Sequence, residues 1–181
     1  MSERYLQIDK VRMVFETRKG PFCALEEISL DIRAGEFVSL IGHSGCGKST
    51  LLNIVTGLLQ PSEGDIFLAN REITGPGPDR GVVFQNHSLL PWLTCFENVQ
   101  LAAERVFGAT EKKNVVKERV HRALELVQLG HAAHKYPHEI SGGMKQRVGI
   151  ARALSIEPKV LLLDESARAI PTRCFMPPEI S

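Results

Sequence analysis

The sequence predicts an α/β fold. Three observations carry that prediction: alternating apolar strands at the start, a continuous apolar run that enters a glycine-rich turn and then a helical pattern, and a second continuous apolar run after a long helical block. At 181 residues and 43% hydrophobic content the chain is long enough for one domain with a sizeable core. Net charge is +1, from 22 basic and 21 acidic residues, so no global field draws the chain to nucleic acid, and no nucleic-acid partner is expected. The cysteines, Cys23, Cys46, Cys95 and Cys174, form no CxxC pair and fit reduced thiols better than disulfides or zinc. The N-terminus lacks the apolar core of a signal peptide, and no run of about 18 apolar residues exists, so a cytoplasmic protein is expected.

Residues 5–15 and 28–32 alternate as half-buried strands do, with Lys19-Gly20-Pro21 as the turn between them, an antiparallel layer. Residues 37–41 (FVSLI) read as a strand buried on both faces. From Lys48 the pattern becomes helical, with Leu51, Leu52 and Val55 on one face and Gly57 as the stop. Residues 65–69 and 81–85 are further strands, separated by the turn-rich GPGPDR. Helical texture runs over 94–129, breaks at HKYPHEISGG, restarts at MKQRVGIARALSI and returns to buried strand at 160–163.

Gly42, His43, Ser44, Gly45, Cys46, Gly47, Lys48 and Ser49, followed by Thr50, satisfy G-x-x-x-x-G-K-[ST] between a predicted strand and a predicted helix. The glycines let successive N–H groups turn inward on phosphate oxygens, and the helix dipole adds to them. Lys48 is expected to reach the β- and γ-phosphates, and Ser49 to offer its hydroxyl to Mg²⁺, which makes ATP and Mg²⁺ the expected ligands. Asp164 and Glu165 end the last apolar run, so they read either as a Mg²⁺ carboxylate beside a catalytic base or as a solvated strand end; beside a phosphate loop the first reading is favoured.

ISGGMKQRVGIARAL, residues 140–154, resembles the signature of ABC-transporter ATP-binding subunits, and the similarity extends over 1–165. The resemblance implies a P-loop NTPase, RecA-like core with an N-terminal antiparallel β layer and a helical subdomain inserted at about 88–156. Ser141, Gly142 and Gly143 could cap a second anion site, and the resemblance implies that this cap faces a nucleotide held by a second ATP-binding subunit. It also implies that Gln85 senses Mg²⁺ and the attacking water, that Glu165 is the general base, and that Phe15 stacks on adenine, the alternative for Phe15 being a core aromatic. The stretch GPGPDRGVVFQNHSLLPWLTCFENVQLA looks like the nitrate, cyanate, taurine and sulfonate importer group, nearest to nitrate-type subunits. The implied partners are a transmembrane permease, met through an apolar surface at Leu89, Leu90, Pro91 and Trp92, and indirectly a periplasmic anion-binding protein; the implied location is the inner face of the plasma membrane.

His131, His134 and His138 read as turn histidines rather than a metal site, Cys46 as a small residue, and 111–122 as a solvated helix face. A non-hydrolysing nucleotide-binding module is the alternative function, and a P-loop small-molecule kinase is disfavoured. Residues 166–181 carry Pro171, Pro177 and Pro178 without periodicity where the family continues with a loop resembling FGALD and a histidine. The tail is therefore expected to be disordered and to arise from a shifted reading frame, leaving an exposed sheet edge, poor solubility and at most residual ATPase. Reading the gene in its other frames is expected to recover that loop and histidine downstream; their absence from all frames removes the frameshift.

Overall fold

The computed structural model describes residues 4–84 and 88–164. The chain separates into two compact units, Met1–Gly77 and Pro78–Ser181. The tail after Asp164, with Glu165, and also Gln85, lie outside the described residues.

In the first unit β1 (Arg4–Thr17) and β2 (Gly20–Arg33) form a hairpin, β3 (Glu63–Leu68) pairs on the other edge of β1, and β4 (Arg71–Glu72) pairs on the outer edge of β3. All pairings are antiparallel. The period-2 pattern sets the register: Leu6 sits opposite Leu68 and Ile8 opposite Ile66, and all four are buried. Helix α1 (Lys48–Val55) buries Leu51, Ile54 and Val55. Ile54 takes the place expected for Leu52, which is only half-buried.

The end of α1 is set by Gly57 at φ +79°. Its N–H donates to the Ile54 carbonyl, and the Leu58 N–H donates to that of Asn53, each at 2.9 Å. These are the two bonds of a Schellman cap, which needs a left-handed residue at this point. A side chain here also has no room, because a Cβ would lie 2.2 Å from the Gly75 carbonyl oxygen.

The expected strand at 37–41 is corrected by the structure. These residues belong to neither sheet, and Phe37 is 67% and Ile41 93% exposed. An apolar run becomes a buried strand only when neighbouring strands take both of its edges and other layers cover its faces. The described residues supply no such ladder.

In the second unit β5 (Arg80–Val83) and β6 (Val160–Leu163) run parallel, with Arg80 opposite Val160 and Val83 opposite Leu163. A parallel pair needs a long crossover, and here it contains α2 (Cys95–Phe107), α3 (Lys113–Leu126) and α4 (Gly142–Leu154). Their inward faces build one core around Val99, Val116, Val120, Leu124, Val148 and Ile150. The continuous helical texture over 94–129 is thus two helices with a break at Gly108. Strand β6 is half-buried along its length rather than fully buried, because β5 is its one paired neighbour among the described residues.

Arg119 on α3 is the polar joint of this bundle. Its Nε and Nη2 donate to the Glu111 carboxylate at 2.9 and 2.7 Å. The same guanidinium pairs with Glu157 beyond α4 and lies 4.1 Å from the Phe107 ring centroid at the end of α2. His131, His134 and His138 are exposed, and the His138 ring stacks on Tyr136.

Two stability predictions follow from this geometry. Gly57→Ala combines left-handed strain with a backbone clash and is expected to destabilise by about 2 kcal/mol or more, read as a lowered thermal midpoint. The Arg119 guanidinium holds the Glu111 carboxyl below the usual carboxylate range, and the Thr94 amide and then its hydroxyl do the same for Glu97. Stability from a depressed carboxyl is complete above its unfolded value, about 4.3, and is lost as pH falls through the lower folded value. Glu111→Gln should therefore flatten the acid limb of thermal midpoint against pH, and limbs that superimpose on wild type would count against the role given to Glu111.

Candidate nucleotide site

The loop before α1 is shaped by its own glycines and closed by its own lysine. Gly47 is the N-cap of α1 at φ +92°, and a Cβ there would lie 2.6 Å from the Ala24 carbonyl oxygen. Only glycine fits both demands. The loop's chain reversal brings Cys46 over Gly42, where a Cβ would lie 2.6 Å from the Cys46 sulfur. The Cys46 thiol thus fills the space left by the missing side chain, in keeping with its reading as a small residue. Lys48 Nζ donates to the carbonyls of Gly42 and His43 at 2.8 Å each and lies 3.4 Å from Cys46 Sγ. The ammonium is therefore held against the loop it would complete.

The electrostatics of α1 point to an anion. Its first turn carries no acidic residue, and its N-cap makes no side-chain hydrogen bond. Among the described residues no acceptor takes the amides of Gly45 and Gly47. Helix α2 shows what a self-sufficient terminus looks like: the Thr94 hydroxyl accepts from Glu97 N–H, and the Glu97 carboxylate accepts from Thr94 N–H, closing a capping box. With the Gly45 and Gly47 amides, a helix dipole and a lysine together, the 42–50 loop offers donors and positive charge. Phosphate oxygens fit that donor set, and Ser49 and Thr50 lie in the first turn of α1, so Ser49 could add a hydroxyl to a bound cation.

Phe15 lies in β1 directly opposite Phe22 in β2, so the two rings share a face. Phe15 is half-buried and Phe22 is 55% exposed. Phe15 is thus partly covered and partly accessible, as both the core and the stacking readings allow.

Within the second unit, Asp164 is placed at the end of β6 by its N–H, which donates to the Val83 carbonyl at 3.0 Å and continues the ladder. Ser141 is the N-cap of α4, its hydroxyl oxygen accepting from Met144 N–H at 3.3 Å. A hydroxyl that accepts one bond still has a proton to donate, so the cap and ligand readings of Ser141 are compatible. Gly142 and Gly143 are informative for the opposite reason to Gly47: neither has a left-handed φ, and a Cβ on either would meet nothing within 4 Å. The fold has no need of glycine there.

Sequence reasoning missed Asn98. It is 1% exposed, and its amide nitrogen donates to the carbonyls of Leu90, Leu93 and Thr94 at 3.1, 3.0 and 2.9 Å, while its carbonyl oxygen accepts from Leu90 N–H at 2.8 Å. The signal was an amide set among Cys95, Val99 and Ala103 on the apolar face of α2. Its clamp holds the loop that presents Trp92, which is 69% exposed and so is no core residue.

A glycine-rich loop with a lysine ahead of a helix without a side-chain cap is the feature of a nucleotide-binding protein. The chain belongs to the ABC transporter family, whose sequence profile matches residues 25–168. It is 61% identical over 165 residues to the nitrate transport protein NasD of Klebsiella oxytoca, covering 91% of this chain and 63% of that protein. It is 54% identical over 170 residues to the bicarbonate transport ATP-binding protein CmpC of Synechocystis, covering 92% of this chain and 25% of that one. The chain thus spans less than two thirds of the length of these relatives. A dimeric ATP-binding cassette, MJ0796, in a post-hydrolysis state bound to ADP and Pi superposes with a TM-score of 0.81 at 32% identity, over 94% of this chain and 78% of that chain. The expected P-loop NTPase fold class is shown by this likeness.

Gly143→Ala follows from the geometry of α4. Alanine is favoured over glycine in a helix by about 1 kcal/mol, and nothing crowds the site, so this variant is expected to keep or slightly raise the thermal midpoint. A large loss of stability would show that the glycine serves the fold instead.

Proposed function

We propose that the chain binds MgATP as the nucleotide-binding part of an ATP-driven importer for an inorganic anion of the nitrate class. The observation that carries the reading is the donor-lined loop at 42–49, closed by Lys48 on the Gly42 and His43 carbonyls ahead of an uncapped helix. Its geometry suits a triphosphate, and the relatives' names, nitrate and bicarbonate transport, support a small anion as cargo.

In this reading the loop amides and Lys48 hold the β- and γ-phosphates and Phe15 stacks on the base. Ser49, Gln85 and Asp164 hold Mg²⁺, which when bound neutralises phosphate charge and orients the phosphates. Glu165 takes the proton of the attacking water. Ser141, Gly142 and Gly143 cap the nucleotide of a second ATP-binding subunit, a reading supported by the open space around both glycines. The dimeric state of the cassette MJ0796 supports that arrangement. Trp92, held outward by the Asn98 clamp, meets a transmembrane permease, and the assembly receives its anion from a periplasmic binding protein. The chain would then lie on the inner face of the plasma membrane; no helix among the described residues is long and apolar enough to cross it.

Magnesium-dependent binding of ATP, measured by titration of a fluorescent analogue, tests the core of the reading. Lys48→Ala is expected to weaken it about tenfold or more, since it removes a charge-assisted contact; affinity unaffected by both Lys48→Ala and removal of Mg²⁺ overturns the proposal. Trp92→Ala is expected to reduce co-purification with a co-expressed permease subunit of a nitrate-class importer, and undiminished recovery would reassign that surface.

A further inference from the structure

The loop at 88–94 joins the Gln85 segment to α2 and is irregular, yet it is fastened at both ends. At its far end Asn98 on α2 makes the four bonds already described. At its near end Arg152 Nη1 donates to the Ser88 carbonyl at 2.7 Å. Ser88 is a non-glycine residue at φ +46°, a left-handed conformation that surrounding contacts must hold in place. Arg152 lies in the last turn of α4, and Ser141 caps the first turn of the same 13-residue helix, which is about 20 Å long. The guanidinium is half-buried, and its burial lowers its pKa. A cation is withdrawn from water only where its hydrogen bonds compensate, so a long charged side chain directed at a loop carbonyl is a structural commitment rather than a surface accident.

We propose that Arg152 is a positioning residue that locks the 88–94 loop to α4, so that the helix bearing Ser141, Gly142 and Gly143 and the surface bearing Trp92 move as one body. The inference rests on the proposed function, in which the first end of α4 meets nucleotide and Trp92 meets the permease. Asn98 fixes the same loop to α2, so the two clamps act on successive stretches of one strap. Loss of Arg152 removes its bond to the Ser88 carbonyl and loosens that end of the loop, while nucleotide binding at the Lys48 loop is set by other residues. A displacement at Ser141 would then no longer reach Trp92 in full.

Trp92 is the chain's one tryptophan, so its fluorescence reports this loop directly. The test compares wild type, Arg152→Met, which keeps an unbranched apolar stem, and Arg152→Lys, which keeps a cationic donor. Acrylamide quenching and steady-state anisotropy of Trp92 are read alongside far-UV circular dichroism and MgATP affinity. Arg152→Met is expected to raise the quenching constant about twofold and lower anisotropy, with helix content and ATP affinity retained, because only the loop is released. Arg152→Lys should fall between the two, and it carries the comparison if the methionine variant fails to fold. Asn98→Asp, which loses its amide donors, should also raise quenching. Quenching unchanged in both Arg152 variants, with Asn98→Asp alone responding, overturns the proposal. Failure of wild type to bind MgATP sinks the functional reading instead, while the quenching comparison still decides whether Arg152 holds the loop.

Discussion

Helix α1 begins without a side-chain cap, without an acidic residue in its first turn, and with the Lys48 ammonium folded back on the loop before it. Every helix leaves its first four N–H groups unmatched by its own carbonyls, and a chain that needs only stability satisfies them locally, as α2 does with Thr94 and Glu97. Leaving them open retains donors and positive potential for an external anion. The surrounding structure supports that choice: Gly47 admits the close approach of the Ala24 carbonyl, Cys46 fills the space above Gly42, and the Gly57 cap ends the helix after two turns.

The second unit treats its polar groups in two ways. Arg119, Glu111 and Glu157 are matched to one another and to the Phe107 ring, and Asn98 satisfies four loop groups, so these residues rigidify the bundle. Ser141, Gly142 and Gly143 at the start of α4 are left accessible. The contrast is one of environment: the first group is tied into the packed bundle, and the second stands at an exposed helix start where an added Cβ meets nothing within 4 Å at either glycine.

Much of the site was legible in sequence because local rules govern it. The G-x-x-x-x-G-K-[ST] spacing fixes a turn whose glycines are required one by one, and Gly47 at φ +92° is such a requirement. The strands of the first unit followed from period-2 alternation, and Gly57 as a stop followed from helix-end chemistry. The run at 37–41 failed the same style of reading, since continuous apolar text describes a buried strand only in company, and the ladder that would bury Phe37 and Ile41 is missing among the described residues. Asn98 carried a readable signal, an amide inside an apolar stripe, whereas its partners, all backbone groups, left no trace in residue identity.

By itself the sequence determined the α/β class, the phosphate loop, the bare glycine pair at 142 and 143, and the family, because spacing and glycine placement act over a few residues. Tertiary structure alone decided that Trp92 faces outward, that Arg152 reaches Ser88 across 64 positions of chain, and that Arg119 ties α3 to the end of α2 and to Glu157 beyond α4. Those facts depend on which backbone carbonyl or ring comes within about 3 to 4 Å of a given side chain. Such distances are set by packing of whole elements, and no local pattern of residues encodes them.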